Sequence, residues 1–294
     1  MLNIECFEGA NPNVKKYVFT DVDAVYETVV YKYGSYKERT VICCSVQSGC
    51  PVGCVFCGTG KRFIRNLKRD EIIGQIMEVL KRENIGNSFP IKKFQIMFMS
   101  MGEPMLNIGQ VSMAVYTLNE MFPKAQLLLS TMGINDKEAL DEIIEMAEDI
   151  NKVGLQFSLH NSIDAERNEI IPFKNKMTVR EIRDYGVKWH KATKRKPYIN
   201  YCVTIDNSRT EHIERMFDLF DPNVFCFTFS TICNADKDCK EDQTDYTGMY
   251  LMQSKFLDKG YDVRLFDPAG KDDIGGGCGQ LWYVQEWLES HATK

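Results

Sequence analysis

Six largely apolar stretches, at residues 94–99, 126–130, 153–159, 198–204, 224–230 and 261–266, alternate with segments whose apolar residues recur at helical spacing. This alternation constrains the fold more than any other feature of the chain. Near-continuous apolar strands are buried on both faces, which calls for a parallel sheet covered by helices. The segments at 108–121, 136–147, 179–192, 209–220 and 244–258 supply that cover. An earlier strand at 40–45 is followed by a helix capped by Asp70, with Ile72, Ile73, Ile76, Met77 and Leu80 along one face. The expected class is α/β, and six units suggest a partial (β/α)6 TIM-like barrel rather than a closed eightfold one. Residues 17–36 read as short strands around a turn. The expected organisation is therefore a small β extension over 1–36 and a barrel over 37–294, forming one compact unit.

The 294 residues carry a net charge of −5, so no global basic field draws the chain to nucleic acid; such a partner must be held by a local patch. The first residues lack the basic and apolar regions of a secretory signal. No apolar run approaches the roughly 20 residues that span a bilayer. Eleven cysteines are then expected to work in a reducing cytoplasm, as ligands, catalysts or core residues rather than as a disulfide framework.

Three of them form the loop Cys50-Pro-Val-Gly-Cys54-Val-Phe-Cys57, which follows the 40–45 strand. Zinc sites generally take four ligands, often from two paired knuckles. The chain has no second Cys-X2-Cys pair and only four histidines. Three thiolates instead suit three irons of a [4Fe–4S] cluster, leaving one iron open. An open iron that binds the amino and carboxylate groups of S-adenosylmethionine (SAM) is the signature of radical-SAM enzymes, and Phe56 is the aromatic residue such loops place before the last cysteine.

Other chemistry-bearing residues also sit at strand ends, where parallel barrels gather function. Gly102-Glu103-Pro104 offers close backbone approach and a carboxylate for the SAM ammonium, or simply a turn into the next helix. Ser130-Thr131 offers hydroxyls for the SAM carboxylate, or a helix cap. Ser158-Leu159-His160 places two polar side chains at the end of the following strand. A basic run at Lys188, Lys191, Lys194, Arg195 and Lys196 closes a helix; it is either a solvated end complementing the dipole or a phosphate-binding patch. Arg62, Arg65, Lys68 and Arg69 beside the cysteine loop are better placed to reach a substrate backbone.

With these segments in view, the chain resembles the RlmN/Cfr family of radical-SAM methyltransferases, which methylate adenine carbons of RNA. The resemblance runs through Ser45-Val-Gln-Ser-Gly-Cys50, the cysteine loop, Arg65-Asn66-Leu67, Met101-Gly-Glu-Pro-Met-Leu-Asn107, Ser130-Thr131-Met-Gly133, Ser158-Leu-His160 and Gly277-Cys278-Gly279-Gln280-Leu281, over roughly residues 27–283. It implies Cys278 as the methyl-accepting cysteine and Cys43 as the second catalytic cysteine. It also implies Glu27 near the substrate and Gly102, Glu103, Ser130, Ser158, Leu159, His160 and Asn234 as SAM contacts. Cys44, on the other face of its strand, reads as core.

The implied chemistry uses two SAM molecules per turnover. One methylates Cys278, and the other yields a 5′-deoxyadenosyl radical that removes hydrogen from that methyl group. The carbon radical adds to adenine, and Cys43 releases the adduct through a disulfide with Cys278. C2 of adenine in a transfer or ribosomal RNA is the expected target; a non-ribosomal adenine compound or a protein substrate is the alternative. A reductase such as flavodoxin or ferredoxin would supply electrons to a monomeric enzyme. Two features depart from the family. Ser100 stands where a glycine is usual, and the extra N-terminal helical domain of family members is expected to be absent.

Overall fold

The structure, a computed structural model, describes residues 2–85, 90–233, 243–277, 280, 287, 289 and 290. One ten-stranded sheet organises them. Its first four strands, β1 (Asn3–Glu8), β2 (Val14–Thr20), β3 (Val25–Tyr33) and β4 (Ser35–Cys44), form an antiparallel meander. From β4 onward the sheet is parallel through β7 (Lys93–Phe98), β8 (Gln126–Thr131), β9 (Val153–Ser158), β10 (Tyr198–Cys202), β11 (Cys226–Ser230) and β12 (Asp262–Phe266). β5 (Gln47–Gly49) and β6 (Phe63–Asn66) form a separate small hairpin around the cysteine loop. This is the expected partial barrel with its β extension, and the sheet runs unbroken through residue 36, inside β4.

Helices α1 (Arg69–Arg82), α2 (Ile108–Met121), α3 (Lys137–Asp149), α4 (Asp164–Ile170), α5 (Val179–Thr193), α6 (Thr210–Leu219) and α7 (Tyr246–Asp258) follow the strands. The sequence pattern missed the short α4 and the polar edge strand β1, neither of which has a long apolar period. Asp70 is not the cap of α1: it lies in the first turn, Lys68 occupies the cap position, and Glu71 Oε2 accepts from the Lys68 backbone N–H at 2.7 Å. α5 starts with a reciprocal capping box between Thr178 and Glu181. Ile72, Ile76, Val79 and Leu80 bury the inner face of α1, each contributing about 1.5–3 kcal/mol of apolar transfer.

The expectation that the strands are apolar throughout needs refinement. On β9–β11 the helix-facing side is apolar, with Phe157, Ile199, Tyr201, Phe227 and Phe229 fully buried. The barrel-facing positions Gln156, Ser158, Asn200, Thr228, Ser230 and Arg264 line an internal cavity instead. On the other side the lining is Val41, Cys43, Met97, Met99 and Leu128. The barrel therefore encloses a half-polar, half-apolar space rather than a filled core. Among the described residues no helix is long and apolar enough to cross a membrane.

Candidate active site

The cavity has a volume of about 850 Å³ and is lined by Cys50, Cys54, Cys57, Cys43, Gly102, Glu103, Ser130, Ser158 and His160. Sequence reasoning had drawn all nine from separate segments. Each is placed by a strand or by the turn that follows one. The cysteine loop is folded by backbone bonds: Cys50 N–H donates to Arg62 O at 2.9 Å and Cys57 N–H to Cys54 O at 3.1 Å. Gly49 makes the entry possible, since it adopts φ +74° and a Cβ there would meet Arg62 O at 2.1 Å.

Burial pushes the Cys54 thiol up to about 12 and raises Cys50 and Cys57 as well. These are thiols set in a poorly solvated wall, a setting that a cationic ligand reverses by favouring thiolate. Among the described residues no three His, Cys, Asp or Glu side chains converge on a single ion position. A cluster does not need such convergence, since each of its irons takes one thiolate from this loop. Thr59 Oγ1 is a buried hydroxyl beside Cys57 without a conventional hydrogen-bond partner, placed to donate to sulfur. The donor set fits a three-cysteine iron–sulfur cluster.

Glu103 is 4% exposed. Its Oε1 accepts from Met105 N–H at 3.1 Å and its Oε2 from Met132 N–H at 2.9 Å. Burial raises its pKa to about 7 against the lowering effect of these bonds, so a neighbouring ammonium would favour the ionised form. The same side chain caps the 3₁₀ turn Pro104–Asn107, so the turn reading and the ligand reading coexist. Gly102, at φ +96°, leaves room that a Cβ would take from Gln47, whose Oε1 accepts the Glu103 backbone N–H at 2.9 Å.

Ser130 Oγ accepts from Gln156 Nε2 at 3.1 Å. His160 Nδ1 accepts from Cys202 N–H at 3.1 Å, which puts the neutral ring's proton on Nε2. Burial, aided by nearby Arg167, lowers its pKa to about 3, and Phe56 packs edge-on at 5.1 Å. Leu159 sits differently. Its side chain is fully buried in the hydrophobic core, its N–H donates to Asn200 O, and its C=O accepts from Arg167 Nε. It does not line the cavity.

Another wall of the cavity is built from β3 and β4, with β2 beside them in the sheet. Lys16, Val29, Cys43 and Met97 form one row across β2, β3, β4 and β7. Cys43 faces the cavity, burial raises its thiol to about 12, and Cys44 points into the core as expected. Among the described residues Cys43 is a free thiol. The chain just before Cys278 is laid over this row. Lys16 Nζ donates to Gly275 O at 3.1 Å, Tyr31 OH donates to Gly276 O at 2.6 Å, and Ile274 packs with Val14, Val29, Tyr31 and Val41. Glu27 shares the inner face of β3 with Tyr31, yet does not line the cavity. Its carboxylate is wholly buried and pairs with Lys16 Nζ at 2.5 Å. Cys278 and Asn234, and with Cys278 its disulfide with Cys43, lie outside the described residues.

The two basic patches are largely spent on the fold. Lys188 pairs with Asp141, Arg195 donates to the carbonyls of Asn151 and Val153, and Lys196 pairs with Asp262. Arg65 is held by Asp23 and Glu71, and Arg69 by Asp70. Sequence reasoning missed Arg167, which is fully buried and donates to Leu159 O, Met177 O and Met132 O at 3.1, 2.9 and 2.6 Å. It ties together the ends of β8 and β9 that present Ser130 and His160.

No family model matches the chain. The probable dual-specificity RNA methyltransferase RlmN of Finegoldia magna is 31% identical over 276 residues, covering 92% of this chain and 74% of the relative. The protein of the same name from Flavobacterium johnsoniae is 36% identical over 256 residues, covering 83% and 69%. The chain belongs to the RlmN/Cfr family of radical-SAM RNA methyltransferases. The fold agrees: the crystal structure of a radical SAM methyltransferase from Sphaerobacter thermophilus superposes with a TM-score of 0.82 at 23% identity, over 95% of this chain and 80% of that one. Streptococcus suis SuiB shares the fold more distantly, with a TM-score of 0.56 and 13% identity over 79% of this chain. Family membership implies a [4Fe–4S] cluster and SAM as cofactors.

Proposed function

We propose that this chain transfers a methyl group to an adenine carbon, C2, of RNA, with Cys278 and Cys43 as the two catalytic cysteines. The observation that carries the reading is the shared cavity, which sets Cys43 in one wall and the three loop cysteines in another. When bound, the reduced cluster and SAM supply the methyl group and the radical that activates it. Cys50, Cys54 and Cys57 would hold the cluster; Gly102, Glu103, Ser130, Ser158 and His160 would hold SAM, with Glu103 on its ammonium.

The chain's own residues then have separable tasks. Adenine C2 is not nucleophilic, so the methyl carbon has to travel on the protein, attached to the Cys278 sulfur. Once that carbon is joined to the base, a proton must leave C2 and the carbon–sulfur bond must break. The radical adduct would pass one electron to the bound electron-transfer centre while Cys43 assists the proton loss. Cys43 thiolate then attacks Cys278 sulfur, and the carbon–sulfur electron pair goes to the methylene carbon, which takes a proton to become the methyl group. A Cys43–Cys278 disulfide is left for a reductant to reopen. Met97, Met99 and Leu128 line the cavity with apolar surface, which limits water where a radical must survive. Electrons would come from a small reductase such as flavodoxin or ferredoxin.

The test is a pair of variants incubated with RNA and SAM. Cys278→Ala should give no methylated base, and Cys43→Ala should retain a covalent protein–RNA adduct visible as a band shift removed by nuclease. Normal turnover by either variant contradicts the two-cysteine scheme.

A further inference from the structure

The edge strands of the sheet are β1 and β12, and the cavity is lined on one side of a seam by the β3–β4 hairpin and on the other by the end of β12. One lip carries Lys32, Tyr33 and Arg39, and the other Arg264, Phe266 and Asp267. The Arg39 guanidinium lies 4.3 Å from the Tyr33 ring centre, and the Arg264 guanidinium 4.4 Å from that of Tyr198. Lys93 stands directly opposite Arg39 in the β4–β7 register. Burial and the charges of Arg39 and Arg264 together lower its pKa, so the three cations are electrostatic neighbours across the seam.

Like charges opposed on a sheet are unfavourable unless something compensates them. Here the neighbouring carboxylates are already taken. Asp262 pairs with Lys196 at 2.9 Å and Asp267 with Lys271 at 2.7 Å. The polar partners of Arg39 and Arg264 are uncharged: Gln95 Oε1, 2.9 Å from Arg39 Nε, and the Tyr198 hydroxyl, bonded to Arg264 Nη2. Among the described residues neither guanidinium forms an ion pair within 4 Å of a carboxylate, and each is fixed in orientation by a tyrosine face. Beside them, Tyr33 and Phe266 are exposed by 42% and 36%.

We infer that the seam is a binding groove for single-stranded RNA, in which Arg39, Lys93 and Arg264 hold backbone phosphate while Tyr33 and Phe266 offer faces for unpaired bases. Cations tracking a phosphate backbone beside exposed aromatic rings is how proteins hold single strands without reading sequence. The groove is continuous with the cavity that contains Cys43, so a strand gripped at the lips can deliver one base inward. This site deepens the RNA reading above and rests on it. It also differs from both basic patches in the sequence, most of whose charges are committed to carboxylates or carbonyls.

The experiment measures binding of a fluorescein-labelled, adenine-containing single-stranded RNA oligonucleotide across a salt series, without SAM. Each phosphate contact contributes about −0.7 to the slope of log affinity against log salt for a single strand. Arg39→Gln and Arg264→Gln should each reduce the slope's magnitude by about that amount. Arg264→Lys should keep the slope, and Lys188→Gln, which alters a committed cation, should leave it unchanged. Wild-type protein that binds and methylates RNA while both glutamine variants keep the full slope overturns the groove and spares the function. Wild-type protein that neither binds nor methylates RNA overturns the function, and the groove with it.

Discussion

The cysteine-loop wall of the cavity and the layer of β2 and β3 behind its other side solve burial of charged groups in opposite ways. The cysteine-loop wall holds three part-buried thiols and a buried carboxyl whose charged forms are disfavoured by desolvation, with only Arg167 opposing that effect at Cys54. The layer of β2 and β3 holds a buried charge too, but completes it internally, with Lys16 against Glu27 at 2.5 Å. The first wall is electrostatically finished only by a cationic ligand. The second is finished by the fold, and uses its cation to fix the chain leading to Cys278 at Gly275. A binding surface differs from a supporting surface in what supplies the missing charge.

The largest effect should come from breaking the supporting wall. Lys16→Met leaves Glu27 buried without its ion-pair partner and should cost about 3–5 kcal/mol of stability in urea denaturation. Adding Glu27→Gln to that variant should recover most of the loss. A single variant as stable as wild type would show that the pair supports nothing.

A smaller effect sharpens the other wall. The Glu103 pKa is raised to about 7 from 4.5, so the folded state holds this proton more tightly than the unfolded chain. The unfolded state ionises first, and stability conferred by the neutral carboxyl is lost as pH rises from about 4.5 to about 7. Protein without SAM should therefore lose on the order of 1–3 kcal/mol relative to Glu103→Gln between pH 5 and pH 8, in parallel thermal melts. Parallel curves would mean that Glu103 is already ionised without a ligand.

The binding wall was legible in the sequence because its residues stand in contiguous motifs at strand ends: the cysteine loop, Gly102-Glu103-Pro104, and Ser158 with His160. The supporting wall was not. Glu27 could be singled out by resemblance, but its pairing with Lys16 depends on the β2–β3 register, which brings together residues with no local pattern in common. Arg167 was invisible for the same reason, since its three carbonyl partners come from two strand ends and the loop before α5. Charge was the most misleading signal. The run at 188–196 looks like a patch but is mostly spent on Asp141, Asp262 and backbone carbonyls. The cations Arg39, Lys93 and Arg264, which among the described residues form no ion pair with a carboxylate, are scattered over the chain and meet only because the barrel curls. Polar residues two apart in β9 to β11, such as Gln156 and Ser158 or Thr228 and Ser230, did carry a readable sign of an open interior.

The most direct measurement is incubation of cluster-reconstituted protein with a reductant, RNA and SAM labelled in its methyl group, followed by nucleoside mass spectrometry. The account predicts labelled 2-methyladenosine in the RNA, with 5′-deoxyadenosine formed alongside. Formation of 5′-deoxyadenosine with no labelled adenosine in any RNA would contradict it.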